Sequence, residues 1–238
     1  MTPPAPATVS ALLVGGIAPL GDKGVPSGID KRAVARPLRI AREGLDGDAQ
    51  GDRRNHGGPD KAVHHYPFEH YARWREAIGP HPLLERPGAF GENVSTSGLS
   101  EATVALGDVF RLGSATLAVS QGRQPCFRLN LRFGRPDMAR RVQESGRTGW
   151  YYRVVEEGVA APGDALVLID RPLPDWPLTR LLATLYGDML NRDELAAMAA
   201  LSALPENWRR LAARRLENGR VEDWRKRLTG EEAGGQGA

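Results

Sequence analysis

Cys126 is the only cysteine of the chain. It cannot enter an intramolecular disulfide, so its thiol serves packing, metal ligation or nucleophilic chemistry. It stands in the run Gln121-Gly-Arg-Gln-Pro-Cys-Phe-Arg-Leu129, between Arg123 and Arg128. Two neighbouring guanidiniums favour the thiolate, the form that ligates metals and attacks electrophiles. Pro125 fixes one backbone angle beside the thiol and constrains its direction. Alone, the same residue also reads as an inert buried cysteine, a small hydrophobe.

A second polar cluster lies earlier. Asp52-Arg-Arg-Asn-His-Gly-Gly-Pro-Asp60 concentrates groups that are costly to bury unpaired. Gly57 and Gly58 permit close approach of backbone to a ligand, and Arg53, Arg54, His56 and Lys61 supply donors. Such a loop suits an anionic group held by backbone N–H groups and basic side chains. A solvated turn before a strand has the same composition. Lys31 and Arg32 stand just before a strand. Asn93, in Phe90-Gly-Glu-Asn-Val94, offers an amide that either meets a ligand or closes an Asx turn. His56, His64, His65 and His70 invite a zinc reading, but no His-x3-His or cysteine pair is present, and His64 and His65 on one strand point to opposite faces. The spacing argues against structural zinc. His64 shares a face with Tyr66; the face of His65 and Val63 is expected to be core.

Taken in order, His56-Gly-Gly-Pro-Asp-Lys61, Phe90-Gly-Glu-Asn93, Gly107-Asp-Val-Phe110 and Arg123-Gln-Pro-Cys126 resemble the motif series of MOSC domains, the C-terminal modules of molybdenum-cofactor sulfurases. The resemblance is nearest to stand-alone bacterial YiiM-type members. It runs from about Ser27 to Asp170, and the tail beyond is also YiiM-like. Each motif alone is common in loops; four in register are specific. The resemblance implies a mainly β fold, a MOSC-type β-barrel with helical excursions and a small C-terminal α-helical subdomain. It also implies a bound molybdenum cofactor, a pterin with a dithiolene and a phosphate. Cys126 would ligate the metal, because a soft thiolate suits such a centre. Lys31, His56, Gly57, Gly58, Asp60, Lys61, Asn93, Arg123 and Gln124 would hold the cofactor.

The implied activity is reduction of N-hydroxylated small molecules, hydroxylamino purines among them, to amines. That needs an external electron-transfer protein: no flavin or haem motif is present, and one cysteine cannot hold an iron–sulfur cluster. The alternative is a cofactor carrier or sulfur-transfer module with a persulfide on Cys126. Pyridoxal phosphate is also linked to the family, but no stretch of this chain is large enough for a separate aminotransferase-type unit.

The elements that must position these residues follow from the wider pattern. The chain has 238 residues, 41% hydrophobic and 26% charged, which is ordinary for a soluble globular protein. A formal charge of +3 is slight and fits an anionic small ligand as well as nucleic acid. One cysteine suggests a reducing, cytoplasmic compartment. The N-terminal residues lack a basic signal-peptide region, and no apolar run approaches the ~20 residues that span a bilayer, so no membrane association is expected.

Residues 1–26 read as an N-terminal strand region and 27–170 as the barrel domain. Short apolar runs punctuated by Gly, Pro and Asp predict strands at Val9–Val14, Arg36–Ala41, Ala62–Tyr66, Val104–Ala105, Val109–Leu112, Ala115–Ser120, Tyr151–Val155 and Ala165–Ile169. Helices are predicted over Phe68–Ile78 and about Pro136–Ser145.

Three prolines in Arg171-Pro-Leu-Pro-Asp-Trp-Pro177 predict a stiff linker. Beyond it, 178–229 reads as a three-helix appendage with a possible fourth short helix. Leu178, Leu181, Leu182 and Leu185 form one face, Asn191 with Glu194 suggests a capping box, and Pro205 and Gly219 bracket a further helix. That leucine face needs a cover, either the barrel or a second copy in a homodimer. Eight basic residues against four acidic ones between Glu206 and Leu228 raise nucleic-acid binding. Without interleaved stacking aromatics, a solvated helix face is the better account. Residues 231–238 read as a disordered tail.

Overall fold

A computed structural model describes residues 2–51 and 57–231. The first part of the chain forms β1 (Ala7–Val14), β2 (Ala18–Leu20), β3 (Val25–Ser27), β4 (Arg32–Val34), β5 (Leu38–Ala41), β6 (Gly44–Leu45) and β7 (Val63–Pro67). Then come α1 (Glu69–Ile78), β8 (Val94–Thr96), β9 (Val109–Leu112), β10 (Ala115–Gly122), α2 (Arg128–Phe133), α3 (Met138–Ser145), β11 (Trp150–Glu156), β12 (Gly158–Ala160) and β13 (Ala165–Asp170). The C-terminal part holds α4 (Leu178–Tyr186), α5 (Arg192–Ala200), α6 (Glu206–Asn218) and α7 (Arg225–Thr229).

Seven strands close a barrel in the order β13-β9-β10-β11-β7-β8-β1, with Ala7 opposite Leu166 and Thr8 opposite Ala165 at the closure. Closure removes the exposed edges that an open sheet would present. Beyond the closure, the second half of β1 pairs with β4. The β7–β8 pair is parallel. Every residue of β7 is buried, because one face looks into the barrel and the other is covered by α1 and the loops of the site. A bulge at Ser120 bends the end of β10, a common device beside functional sites; the Ser120 hydroxyl donates to the carbonyls of Asp60 (2.5 Å) and Tyr151 (3.1 Å).

Two cores meet at β7, which gives Val63 to one and Tyr66 to the other. The first fills the barrel with Val9, Leu12, Val63, Leu117, Trp150 and Tyr152, and continues without a break into Leu178, Leu181, Leu185, Met198 and Trp208 of the helical region. The leucine face is therefore covered by the barrel. The proline-rich segment is stitched down rather than free: Leu106 N–H donates to Trp176 O (2.9 Å), and the buried Arg171 guanidinium forks onto Asp108 (2.8 and 2.6 Å). The second core joins α1, α2, α3 and α7 through Tyr71, Trp74, Phe90, Leu129, Phe133 and Leu228.

Several expectations are corrected. Val104–Ala105 is not a strand; Ala105 makes an isolated bridge to Pro177. The strand expected from Arg36 begins at Leu38, after Pro37, which cannot donate to a ladder. The strands β2, β3, β4, β6, β8 and β12 have two or three residues each, too few to show a period. Helix α2 begins directly after the Cys126 loop with no side-chain cap, so it carried no start signal. In α5 only half of the capping box forms: Asn191 Oδ1 accepts from Glu194 N–H (3.2 Å), while the Glu194 carboxylate pairs with Arg180 (2.8 Å). Among the described residues no helix is long and apolar enough to cross a membrane.

Candidate functional site

One pocket gathers half of the site residues singled out from the sequence. Lys31, Lys61, Asn93, Arg123 and Cys126 line it, together with Asp48, His64, Arg128 and Tyr151, around about 600 Å³ of space including the open mouth. The pocket forms where the bulged end of β10, the start of α2, the outer face of β7 and the turns at 27–31, 48–51 and 90–93 converge. Gly28 lets two of these turns cross: a Cβ there would lie 2.1 Å from Ala49 O.

Asp48 organises one wall. Its carboxylate accepts from the Lys31 ammonium on both oxygens, from Asn93 Nδ2 (2.9 Å) and from Gly15 N–H (3.0 Å). Burial lowers the Lys31 pKa, against the opposing pull of Asp48 and Glu92. Asn93 closes no Asx turn. Its Oδ1 accepts from His64 N–H (3.0 Å), and its Nδ2 also donates to Leu13 O (3.1 Å), so the amide ties β1 and β7 to the Asp48 turn. Glu92 beside it is fully buried and accepts from Gly88 N–H (2.6 Å), Phe90 N–H (3.0 Å) and the Tyr71 hydroxyl. This locks the turn that carries Asn93.

The opposite wall is cationic and less satisfied. Arg123 is 6% exposed, and its Nη1 is buried without a hydrogen-bond partner. His64 is 3% exposed, and its Nε2 is likewise buried and unpartnered. Its ring lies 4.9 Å from that of Tyr151. Burial, then the charge of Arg123, hold the His64 pKa well below its ordinary value, against a hydrogen bond to the Gly91 backbone. The imidazole is therefore neutral. Nε2 stands without a partner on this wall of donors. Burial raises the Tyr151 phenol, while Arg123 opposes through charge and a hydrogen bond.

The other expected site residues fall elsewhere. Asp60 faces Arg153 (2.8 Å). Gly58 N–H donates to Gln50 Oε1 (3.2 Å), and neither Gly57 nor Gly58 lines the pocket. The half-buried Gln124 does not line the pocket. His56 lies outside the described residues. On the inward face of β7, His65 is held by the Tyr152 hydroxyl (2.9 Å) and the Thr96 hydroxyl (2.8 Å), and burial lowers its pKa to about 3. Asp48, His64, Arg128 and Tyr151 were not expected in the pocket. The alternation along β7 was the one available signal for His64. For Asp48 there was none, because its role depends on Lys31 and Asn93 folding onto it. Among the described residues no group of three or more His, Cys, Asp or Glu side chains could hold a metal ion.

A closed barrel with a single cysteine in an arginine-flanked loop, three of the four motifs contributing to one pocket and a helical tail point to the MOSC class. The MOSC domain model matches residues 52–167, and a model for a YiiM-like, 3-alpha helix domain matches 176–219. The chain is 37% identical to YiiM of Escherichia coli over 208 residues, covering 87% of this chain and 92% of that protein. It belongs to the YiiM family of MOSC-domain proteins. YflK of Bacillus subtilis is 43% identical over 190 residues, covering 79% of this chain and 83% of its own. A Gibberella moniliformis protein named as a reductase is 38% identical over 178 residues, 74% of this chain but 32% of its own length. The crystal structure of Escherichia coli YiiM superposes with a TM-score of 0.78 at 32% identity, covering 94% of this chain and 99% of that one.

Proposed function

We propose that this pocket binds molybdenum cofactor and that the protein reduces N-hydroxylated small molecules to amines. One observation carries the reading. Arg123 Nη1 and His64 Nε2 are both buried without partners on the wall of a cation-rich pocket that also holds the lone thiol. Orphaned buried polar atoms cost about 1–3 kcal/mol each, so such a pair implies a ligand that completes them. The donor set fits the cofactor. Arg123, Lys61 and Arg128 face its anionic oxygens, His64 Nε2 meets a polar atom of the pterin ring, and Cys126 offers one soft ligand to the metal. No cluster of three or more ligating side chains occurs among the described residues, which suits a metal that arrives with its other ligands, as on a dithiolene.

When bound, the cofactor supplies the two-electron chemistry. The reaction takes up two electrons and two protons, breaks the N–O bond and releases the oxygen as water. The electrons come from an external electron-transfer protein. The reductase name of the fungal relative supports the reductive direction, and its greater length leaves room for a further unit. A lone thiol that must stay reduced suits a cytoplasmic setting. Pyridoxal phosphate has no support among the relatives.

The test uses protein produced in a host that makes the cofactor. Cys126→Ser should stay folded, lose bound molybdenum and lose reduction of a hydroxylamino purine by an artificial donor. Arg123→Met should bind the cofactor roughly ten- to a hundredfold more weakly, the loss of one charge-assisted bond. Parent-like molybdenum content and turnover in Cys126→Ser would refute the ligand assignment.

A further inference from the structure

We infer that Arg227, on the C-terminal helix α7, is a positioning residue for the thiol loop and sets where Cys126 points. The two residues flanking Cys126 are both tied to this one side chain and its backbone. Arg227 Nη1 donates to Pro125 O (2.6 Å), and the Arg227 carbonyl accepts from Phe127 N–H (2.7 Å). The other arm of the guanidinium, Nη2, donates to Gln143 Oε1 on α3 (2.7 Å). The fork thus bridges the loop to a helix of the second core. Tyr186 and Trp224 sit against the same guanidinium, their ring centres 5.8 and 5.7 Å away.

The neighbours of Arg227 repeat the attachment. Leu228 O accepts from Asn130 Nδ2 (2.7 Å) on α2, the helix that follows the loop. Gly230 ends α7 at φ +79, and a Cβ there would lie 2.9 Å from the Phe127 ring. Helix α7 has five residues, too short to hold its own shape in water. Its order comes from these bonds, and the order it lends the loop is the same coupling seen from the other side. The matched three-helix region ends at residue 219, so this strap lies beyond it. A lysine at 227 would keep the charge but not the fork, because one ammonium cannot reproduce two divergent planar donors.

The consequence for cofactor binding rests on the proposed function; the positioning itself does not. The experiment therefore uses full-length protein without metal and follows the rate at which a maleimide modifies Cys126. A buried thiol reacts through local opening of its loop. Modification should quicken roughly ten- to a hundredfold in Arg227→Ala, the expected loss of charge-assisted bonds. It should also quicken in Arg227→Lys, while Arg225→Ala, whose carboxylate partner is the exposed Asp223, stays at the parent rate. The Phe127 amide should exchange its proton faster in both Arg227 variants, at urea concentrations where the barrel remains folded. Should Arg227→Ala fail to fold, Arg227→Lys and Gly230→Ala carry the test. Modification within about twofold of the parent in every folded variant would overturn the inference, and so would a full return to the parent rate in Arg227→Lys. Failure of the parent to load cofactor would sink the proposed function alone.

Discussion

Lys31 was expected to contact phosphate, yet its ammonium is held by Asp48, and this makes a sharp prediction. The side chains of Lys31 and Asp48 are 7% and 5% exposed. Lys31→Met keeps the stem and removes the charge, leaving a buried carboxylate with Asn93 Nδ2 and Gly15 N–H as its remaining donors among the described residues. Removing one partner of a buried pair costs about 3–5 kcal/mol, because the other charge is left uncompensated. Asp48→Asn should cost a similar amount, with Lys31 as the stranded charge. The double variant, Lys31→Met with Asp48→Asn, should recover most of the loss. Removing both charges of a buried pair takes away both desolvation costs together with the attraction, so the double change is far cheaper than either single one. The assay is urea unfolding of metal-free protein, reading midpoint shifts at unchanged slope. A lysine reserved for a ligand would behave otherwise, leaving stability intact and weakening only binding. A Lys31→Met variant within about 0.5 kcal/mol of the parent, the scatter of ordinary surface changes, would refute the structural role.

The continuous core predicts that Leu181→Ala destabilises the whole molecule by about 2–5 kcal/mol in one transition; two separate thermal transitions would refute it. For the same reason, truncation after Asp170 should give insoluble or unfolded protein. Acid should destabilise the barrel through His65. Its folded pKa is lowered to about 3, so its contribution is complete above about pH 6.5 and is lost as pH falls toward about 3, with a slope approaching 1.4 kcal/mol per pH unit. Replacing His65 with Gln should flatten that slope; an unchanged pH profile would count against the assignment.

The site was partly legible because some of its signals are local. The arginine-flanked thiol, the alternation that sends His64 and His65 to opposite faces and the proline and glycine stops at helix ends depend on near neighbours in the chain. What the spacing left open shares a common reason. Asn93 looked like a ligand amide because its type allows that role; only the approach of Leu13, His64 and Asp48 showed that its hydrogen bonds are already made. Gln124 lies two residues from the thiol, yet it does not line the pocket. The proline-rich segment reads as a boundary in composition, and Arg171 on Asp108 makes it a seam.

By itself the sequence determined the class of fold, through short punctuated strands followed by a helical tail, and singled out Cys126 as the candidate centre, since there is one thiol and its flanking charges are written beside it. Tertiary structure alone decided which groups surround that thiol. Asp48 and Lys31 pair across 17 residues and Arg227 reaches Pro125 across 102, distances over which residue spacing carries no directional information. Burial did the rest. A polar side chain is a ligand contact or a structural tie according to whether its partners are already present, and that is settled only when the barrel closes.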